Sequence, residues 1–450
     1  MKHHVVVAEN LLVSDEKIKL IRDNQWLCIS PFYQTEIKQD SFHANWSPCC
    51  EYWFKPEKRS IDNINDIENL KKLIKNKKID KRCGACHNVE KLGGVSERIR
   101  YLMDASIETI EKFVNEPESI SLKNLGNFPV ITVKITNNCN LACRSCSGNN
   151  SSLYNIKIRR DLKTEYNIWK YAEDEVLFKN LLLETCKTND SVVLHMIGGE
   201  VFLDDYIANM LDWCEEKNII DKIILYVTTN ATIPLDQRLT NLSKNLKSII
   251  LSLSIDSVGE NYSYVRWPGK FSKIEENLIL LENLRVGELK NKLTYIVQPV
   301  FSLNNVFYLK DFLDFWLDWV KKTNYYDLKI FNTHLHRPKE LMIEILPNEY
   351  RKFLIPITDE CVKHELFDIV SNTTQLKEWI IGINNHLKTE ISQEHHFTNY
   401  LRYTAMYDKK TSQNSFILNS RLFNLLNTED KRTYNYHSYL HKKSHDKTLD

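Results

Sequence analysis

The chain has 450 residues, 42% hydrophobic and 26% charged, the balance of a folded globular protein and not of a disordered or fibrous one. Lys and Arg number 60 against 59 Asp and Glu, so no bulk field draws the chain to nucleic acid or to an anionic membrane. No apolar run reaches the roughly 18 residues of a membrane span, and the opening Met1-Lys2-His3-His4-Val5-Val6-Val7-Ala8-Glu9 is too short for a signal-peptide core, which together predict a cytoplasmic protein.

In a reducing compartment the 11 cysteines read as metal ligands or catalytic thiols, not as disulfides. Eight of them precede residue 150, which points to two metal sites. The first set is Cys28, then Cys49 and Cys50 after Ser47-Pro48, then Cys83 and Cys86 in Cys83-Gly84-Ala85-Cys86-His87. Four of these five complete either a closed iron–sulfur cluster or a zinc site, with Cys49 and Cys50 competing for one position. The metal would clip a small cysteine-rich domain, residues 1–125, whose own core is thin. Cys83 to His87 also matches the c-type haem attachment pattern, a chemistry that belongs outside the cytoplasm.

From 126 to 338 short β-branched runs alternate with longer amphipathic stretches, with strands predicted at 130–135, 191–197, 223–229, 248–255, 293–300 and 327–331. Six β/α units around a parallel sheet make an α/β protein, a partial (β/α)6 barrel of TIM type. Its chemistry is expected in the loops at the carboxyl ends of the strands.

Directly after the first of these strands comes Cys139-Asn140-Leu141-Ala142-Cys143-Arg144-Ser145-Cys146, and no further cysteine or histidine follows until Cys186. A closed iron–sulfur carrier takes four cysteines, so three thiolates leave one iron open, and an open metal position goes with chemistry. A structural zinc site or buried thiols are the alternatives. The second strand ends in Gly198-Gly199-Glu200, where two glycines let backbone approach a ligand and a carboxylate follows. The third ends in Thr229-Asn230, and the fourth alternates polar Ser252, Ser254 and Asp256 with apolar neighbours, so that one face lines a wet cavity. Tyr264-Val265-Arg266-Trp267-Pro268-Gly269 follows. The fork of Arg266 suits a carboxylate of a cofactor or substrate, or a surface ion pair.

The C-x3-C-x2-C loop, followed in order by Gly-Gly-Glu, Thr-Asn and the Ser/Asp strand, resembles the radical S-adenosylmethionine (radical SAM) enzymes. Val201 stands where that family usually has proline, and Ala231 where it has glycine. The resemblance implies a 4Fe-4S cluster on Cys139, Cys143 and Cys146, with S-adenosylmethionine bound at the open iron. It implies cofactor contacts at Gly198, Gly199 and Glu200 for the ammonium and at Thr229 and Asn230 for the ribose. Ser252, Ser254, Asp256 and Arg266 would meet the ribose and carboxylate. The implied reaction is reductive cleavage to a 5′-deoxyadenosyl radical that abstracts a substrate hydrogen, with flavodoxin or ferredoxin as reductant.

The first cysteine set, with Glu90, Ser96 and Arg98 behind it, resembles the twitch or SPASM-like auxiliary-cluster segment of some radical SAM proteins, although here it precedes the core. An auxiliary iron–sulfur cluster there implies a net oxidation, with a peptide as the expected substrate. A sugar, nucleotide or amino acid is the alternative substrate. The rival of another class is a zinc-stabilised interaction scaffold without catalysis. Residues 339–450 predict a helical appendage and a polar tail carrying His437, His441 and His445 at four-residue spacing.

Overall fold

The computed structural model describes residues 15–39, 44–47, 63–91, 96–103, 105–121, 129–158, 175–333, 335, 337–389 and 396–446. Cys49 and Cys50 lie outside the described residues. Strands β1 (Gln34–Gln39) and β2 (Ala44–Ser47) come from the N-terminal segment. The six predicted strands follow as β3 (Val130–Thr136), β4 (Val192–Gly198), β5 (Ile223–Thr229), β6 (Ser248–Leu253), β7 (Leu293–Val297) and β8 (Lys329–Ile330). All eight share one sheet in the order β2-β1-β3-β4-β5-β6-β7-β8. Every neighbouring pair is parallel except β1 with β2. The N-terminal segment therefore enters the sheet of the core, with Thr35 opposite Ile131. Sequence pattern gave no sign of this, because Gln-Thr-Glu-Ile-Lys-Gln has no apolar run and the pairing is carried by backbone.

Among the described residues helices cover one face of the sheet. Helices α1 (Asp15–Asp23), α2 (Asn63–Lys75), α3 (Gly84–Lys91), α4 (Glu97–Met103) and α5 (Ile107–Asn115) belong to the N-terminal segment, whose separate small core holds Ile21, Leu27, Leu70, Ile99, Ile110 and Phe113. Between the core strands run α6 (Glu175–Thr188), α7 (Tyr206–Glu216), α8 (Gln237–Ser243), α9 (Phe271–Val286) and α10 (Leu309–Thr323). In α10 the residues Leu309, Phe312, Leu313, Trp316, Leu317 and Val320 fall on one stripe and are buried, and Asn324 ends the helix in the left-handed region at φ 54°.

One strand face, with Val133, Leu194, Leu225, Leu251 and Val297, packs with these helices in a single large core. The opposite face, with Val130, Val193, Ile224, Tyr226, Ile250 and Ile296, forms a small cluster that includes no helix residue. A doubly wound sheet would cover both faces with helices; the packing among the described residues is one-sided, as expected of a partial barrel.

The C-terminal segment holds α11 (Asn348–Cys361), α12 (Thr374–Thr389), α13 (Phe397–Thr411) and α14 (Thr428–Asp446). Leu354, Ile380, Tyr400 and Leu422 join the same core as the barrel, so the segment is packed on it and not tethered beside it. The expected polar tail is helical through Asp446, and His437 on it accepts a bond from Arg402 Nε at 3.0 Å. Among the described residues no helix is long and apolar enough to cross a membrane.

Candidate active site at the strand ends

The three-cysteine loop leaves β3 at the carboxyl end of the sheet and is pinned along its length. Ala142 N donates to Trp267 O at 2.7 Å and Arg144 N to Val265 O at 2.9 Å, which ties the loop to the Tyr264–Gly269 segment. Cys146 N closes on Cys143 O at 3.0 Å, and Ser152 Oγ accepts from Cys139 N at 3.1 Å. Donors also face the sulfurs: Leu141 N lies 3.5 Å and Asn230 Nδ2 3.9 Å from Cys139 Sγ, and Arg266 Nη1 lies 3.8 Å from Cys143 Sγ. Burial pushes all three thiols above their ordinary value, Cys146 to about 12, and neighbouring sulfurs add to the rise at Cys143 and Cys146. Metal loading here must therefore release protons.

The donor set fits an iron–sulfur cluster, being three thiols with N–H groups turned to two of them and no imidazole or carboxylate among them. Among the described residues no three His, Cys, Asp or Glu side chains converge closely enough to hold a single metal ion.

The Gly-Gly-Glu segment serves this loop first. Gly199 N donates to Thr136 O and Glu200 N to Asn138 O, each at 2.7 Å. A Cβ on Gly198 would stand 2.4 Å from Thr136 O, and one on Gly199 2.1 Å from Asn138 O. The backbone these glycines approach is thus the chain's own, on the way into Cys139. Glu200 is fully buried, and its oxygens accept from Thr229 Oγ1 at 2.8 Å, Phe202 N at 3.2 Å and Asn230 N at 2.7 Å. Burial raises its pKa while those bonds pull it down. The carboxylate brackets the ends of β4 and β5.

Asn230 continues the bracket. Its Nδ2 donates to Asn140 Oδ1 at 2.9 Å, and its Oδ1 accepts from Thr232 N at 2.9 Å and Thr232 Oγ1 at 2.6 Å. Asp256 lies just past β6, with Oδ1 accepting from Val300 N at 2.9 Å and from Arg266 Nη2 at 2.8 Å. Arg266 is 8% exposed, so it is no surface ion pair. Ser252 Oγ donates to Gln298 Oε1 at 2.8 Å, and Gln298 passes the contact to Thr333 Oγ1 at 2.9 Å. Ser254 N donates to Thr229 O at 2.8 Å, and its side chain is half-buried.

Sequence pattern missed the residue at the centre of the inner face. His195 on β4 is half-buried between Thr132 Oγ1 at 3.3 Å and Thr228 Oγ1 at 3.1 Å, with its ring over Tyr226 at 4.2 Å. Burial pushes it down to about 3, so the imidazole is neutral. Lys134, Ile197, Thr228, Ser254 and Gln298 on the same face keep partial exposure, whereas the helix-covered face is closed. The inner face thus forms a basin, buried and apolar at Val193, Ile224 and Ile296 and partly exposed and polar toward the cysteine loop.

In the N-terminal segment Cys28, Cys83 and Cys86 line one cavity with Trp26, His87 and Arg98. Burial and the neighbouring thiols push Cys83 well up. Buried Arg98 pairs with Glu90 and donates from Nη1 to the carbonyls of Ile21, Asn24 and Leu27 at 3.2, 3.1 and 2.8 Å, which fixes the turn entering Cys28.

No family model matches this chain, and no curated protein matches it. Among solved structures it is similar to anSMEcpe with bound AdoMet, at 17% identity and TM-score 0.37, over 54% of this chain and 59% of that one. Streptococcus suis SuiB bound to S-adenosylmethionine is similar at 15% identity and TM-score 0.33, over 66% of this chain and 60% of that one. SuiB bound to precursor peptide SuiA gives 14% and 0.34 over the same shares. The match thus spans less than two thirds of each of those chains. Likeness at these scores carries no argument of its own, and the chemistry rests on the residues described above.

Proposed function

We propose that this chain is a radical SAM enzyme. The observation that carries the reading is the set of three thiols on one loop at the carboxyl ends of a one-sided parallel sheet, with Asn230 and Arg266 turned to the sulfurs. A 4Fe-4S cluster held by Cys139, Cys143 and Cys146 would supply the electron that cleaves S-adenosylmethionine to a 5′-deoxyadenosyl radical for hydrogen abstraction. The chain's own part is to fix and shield. Glu200, Thr229 and Asn230 hold the strand ends in place, Arg266 sets a buried cation beside Cys143, and the basin around His195 receives the substrate and limits water. The basin offers hydroxyls, a carboxamide and a neutral imidazole with Lys134 at its edge, a set able to hydrogen-bond a polar substrate such as a peptide unit. An auxiliary iron–sulfur cluster on Cys28, Cys83, Cys86 and one of Cys49 or Cys50 would accept an electron from the substrate radical and so make the reaction a net oxidation of the substrate, while flavodoxin or ferredoxin would supply the separate electron for cofactor cleavage at the core loop.

The test is anaerobic reconstitution, with iron and sulfide counted and the EPR spectrum of the reduced protein recorded with and without S-adenosylmethionine. About eight irons per chain with one signal shifted by the cofactor supports both clusters, and about four leaves the N-terminal set to zinc. No iron, or no spectral response to S-adenosylmethionine, sinks the proposal in favour of a zinc scaffold.

A further inference from the structure

The resemblance that frames the core stops near residue 335, yet a buried polar network joins the cysteine loop to the segment beyond it. Arg144, placed between Cys143 and Cys146, is fully buried. Its Nε donates to Tyr264 O at 2.9 Å, and its guanidinium lies over the rings of Tyr264 at 3.6 Å and Tyr407 at 4.4 Å. Its Nη2 pairs with Asp408 and donates to Gln413 Oε1 at 3.0 Å. The backbone of the same residue is held as well, since Tyr403 Oη donates to Arg144 O at 2.6 Å.

Asp408 is 3% exposed and anchors three elements at once. Its Oδ2 accepts from Ser415 N at 2.8 Å, Ser415 Oγ at 2.5 Å and Tyr434 Oη at 2.7 Å. Gln413 Nε2 donates to Ser263 O at 2.7 Å, and the hydroxyls of Tyr264 and Ser415 meet at 2.6 Å. The Ser263–Val265 strip so gripped is the one that pairs with Arg144 N and leads into Arg266. A buried ion pair adds little to stability over apolar packing, so stability alone does not account for this one. What it does fix is position, for Arg144 is bonded to one thiol-bearing residue and lies two from another.

We infer that the C-terminal helical segment is part of the cluster site, with Asp408 and Tyr403 acting as positioning residues that hold the Cys143–Cys146 stretch through Arg144. The inference rests on the function proposed above. It gives residues 397–434 a role that no cysteine pattern reveals: they set the spacing of two thiols without touching a metal. Outer partners of this kind govern how firmly a metal is kept.

The experiment uses full-length chain reconstituted with iron and sulfide, comparing wild type with Asp408→Asn, Tyr403→Phe and the control Asp430→Asn. Asp430 accepts the hydroxyl of Tyr350 in the same C-terminal segment and makes no bond to the cysteine loop. Each protein is assayed for melting, for the EPR line shape of the reduced cluster and for the rate of iron release to a ferrous chelator. The expected result is release faster by about tenfold in the Asp408 and Tyr403 variants, with a changed line shape, while the Asp430 variant keeps the wild-type rate. Should Asp408→Asn fail to fold, Tyr403→Phe decides, since it removes one hydroxyl only. Wild-type release rates in both variants, or equal acceleration in the Asp430 control, overturn the inference and leave the proposed function standing. A wild-type chain that takes up no iron overturns both.

Discussion

Arg266 holds Asp256 with one side of its guanidinium and faces the sulfur of Cys143 with the other. Nη2 donates to Asp256 Oδ1 at 2.8 Å, Nε lies 2.8 Å from Oδ2, and Nη1 lies 3.8 Å from Cys143 Sγ. Burial alone would lower its pKa, but Asp256 and the thiol more than offset that, so the cation persists at every working pH. Replacing Arg266 with Met leaves Asp256 buried and unpaired, a loss of about 3–5 kcal/mol visible as a lower melting temperature. In reconstituted protein the same change moves the cluster midpoint more negative by tens of millivolts, where about 59 mV is a tenfold change in a one-electron equilibrium. Arg266→Lys, which keeps the charge, restores most of the potential. A Met variant with unchanged melting and potential contradicts the shared role of this side chain.

Gly199→Ala drives a Cβ to 2.1 Å from Asn138 O, a backbone atom that cannot move without carrying Cys139 with it. Destabilisation of about 1–3 kcal/mol by denaturant titration is expected, together with reduced iron uptake. Gly382→Ala is the matched control, since among the described residues nothing beyond its own helix backbone lies within 4 Å of the added Cβ and the residue is inside helix α12. That substitution stabilises by about 0.5–1 kcal/mol. Equal effects at the two positions would falsify the close-approach argument.

His195 gives a pH dependence whose sign is fixed by its burial. Its ordinary value of 6.5 is pushed down to about 3, so the unfolded chain takes up a proton at mild acidity that the native chain refuses. The contribution to stability is whole above 6.5 and is lost as pH falls toward 3, by at most about 1.4 kcal/mol for each pH unit. Chemical denaturation of wild type and His195→Gln at pH 7 and pH 5 measures it, with the Gln variant showing the shallower decline. Parallel declines count against a neutral imidazole in the basin.

Replacing both Cys83 and Cys86 with alanine separates the two uses of the N-terminal cavity. The expected outcome is loss of about four irons per chain and of turnover, with S-adenosylmethionine cleavage at the core loop retained. Full turnover in this variant removes any redox part for that cavity, and loss of folding together with turnover marks the site as structural.

The strands were legible because Val-Ile-Thr-Val-Lys-Ile and its successors combine β-branching with burial, and all six lie where pattern put them, ending up to three residues early in β6 and β7. Ser254 and Asp256 were read as strand positions but lie past the end of β6, where the chain turns toward Arg266. The cysteine loop was legible because thiol spacing is a local property. His195 was not, since a lone histidine in Val-Val-Leu-His-Met-Ile-Gly is indistinguishable from a core residue until β3 and β5 bring Thr132 and Thr228 to its two nitrogens. The Arg144–Asp408 contact spans 264 residues, and no periodicity encodes a partner at that distance.

The parallel docking of β1 on β3 bears on how this chain can be cut. A fragment beginning at residue 126 would keep all six core strands, yet strip β3 of its outer neighbour and bare the row of N–H and C=O groups that Gln34 to Ile37 now satisfy. Such an open, β-branched edge is a template for joining other chains. Expression trials of an isolated core should therefore yield aggregate, whereas fragments that retain the first forty or so residues keep that edge capped and stay dispersed.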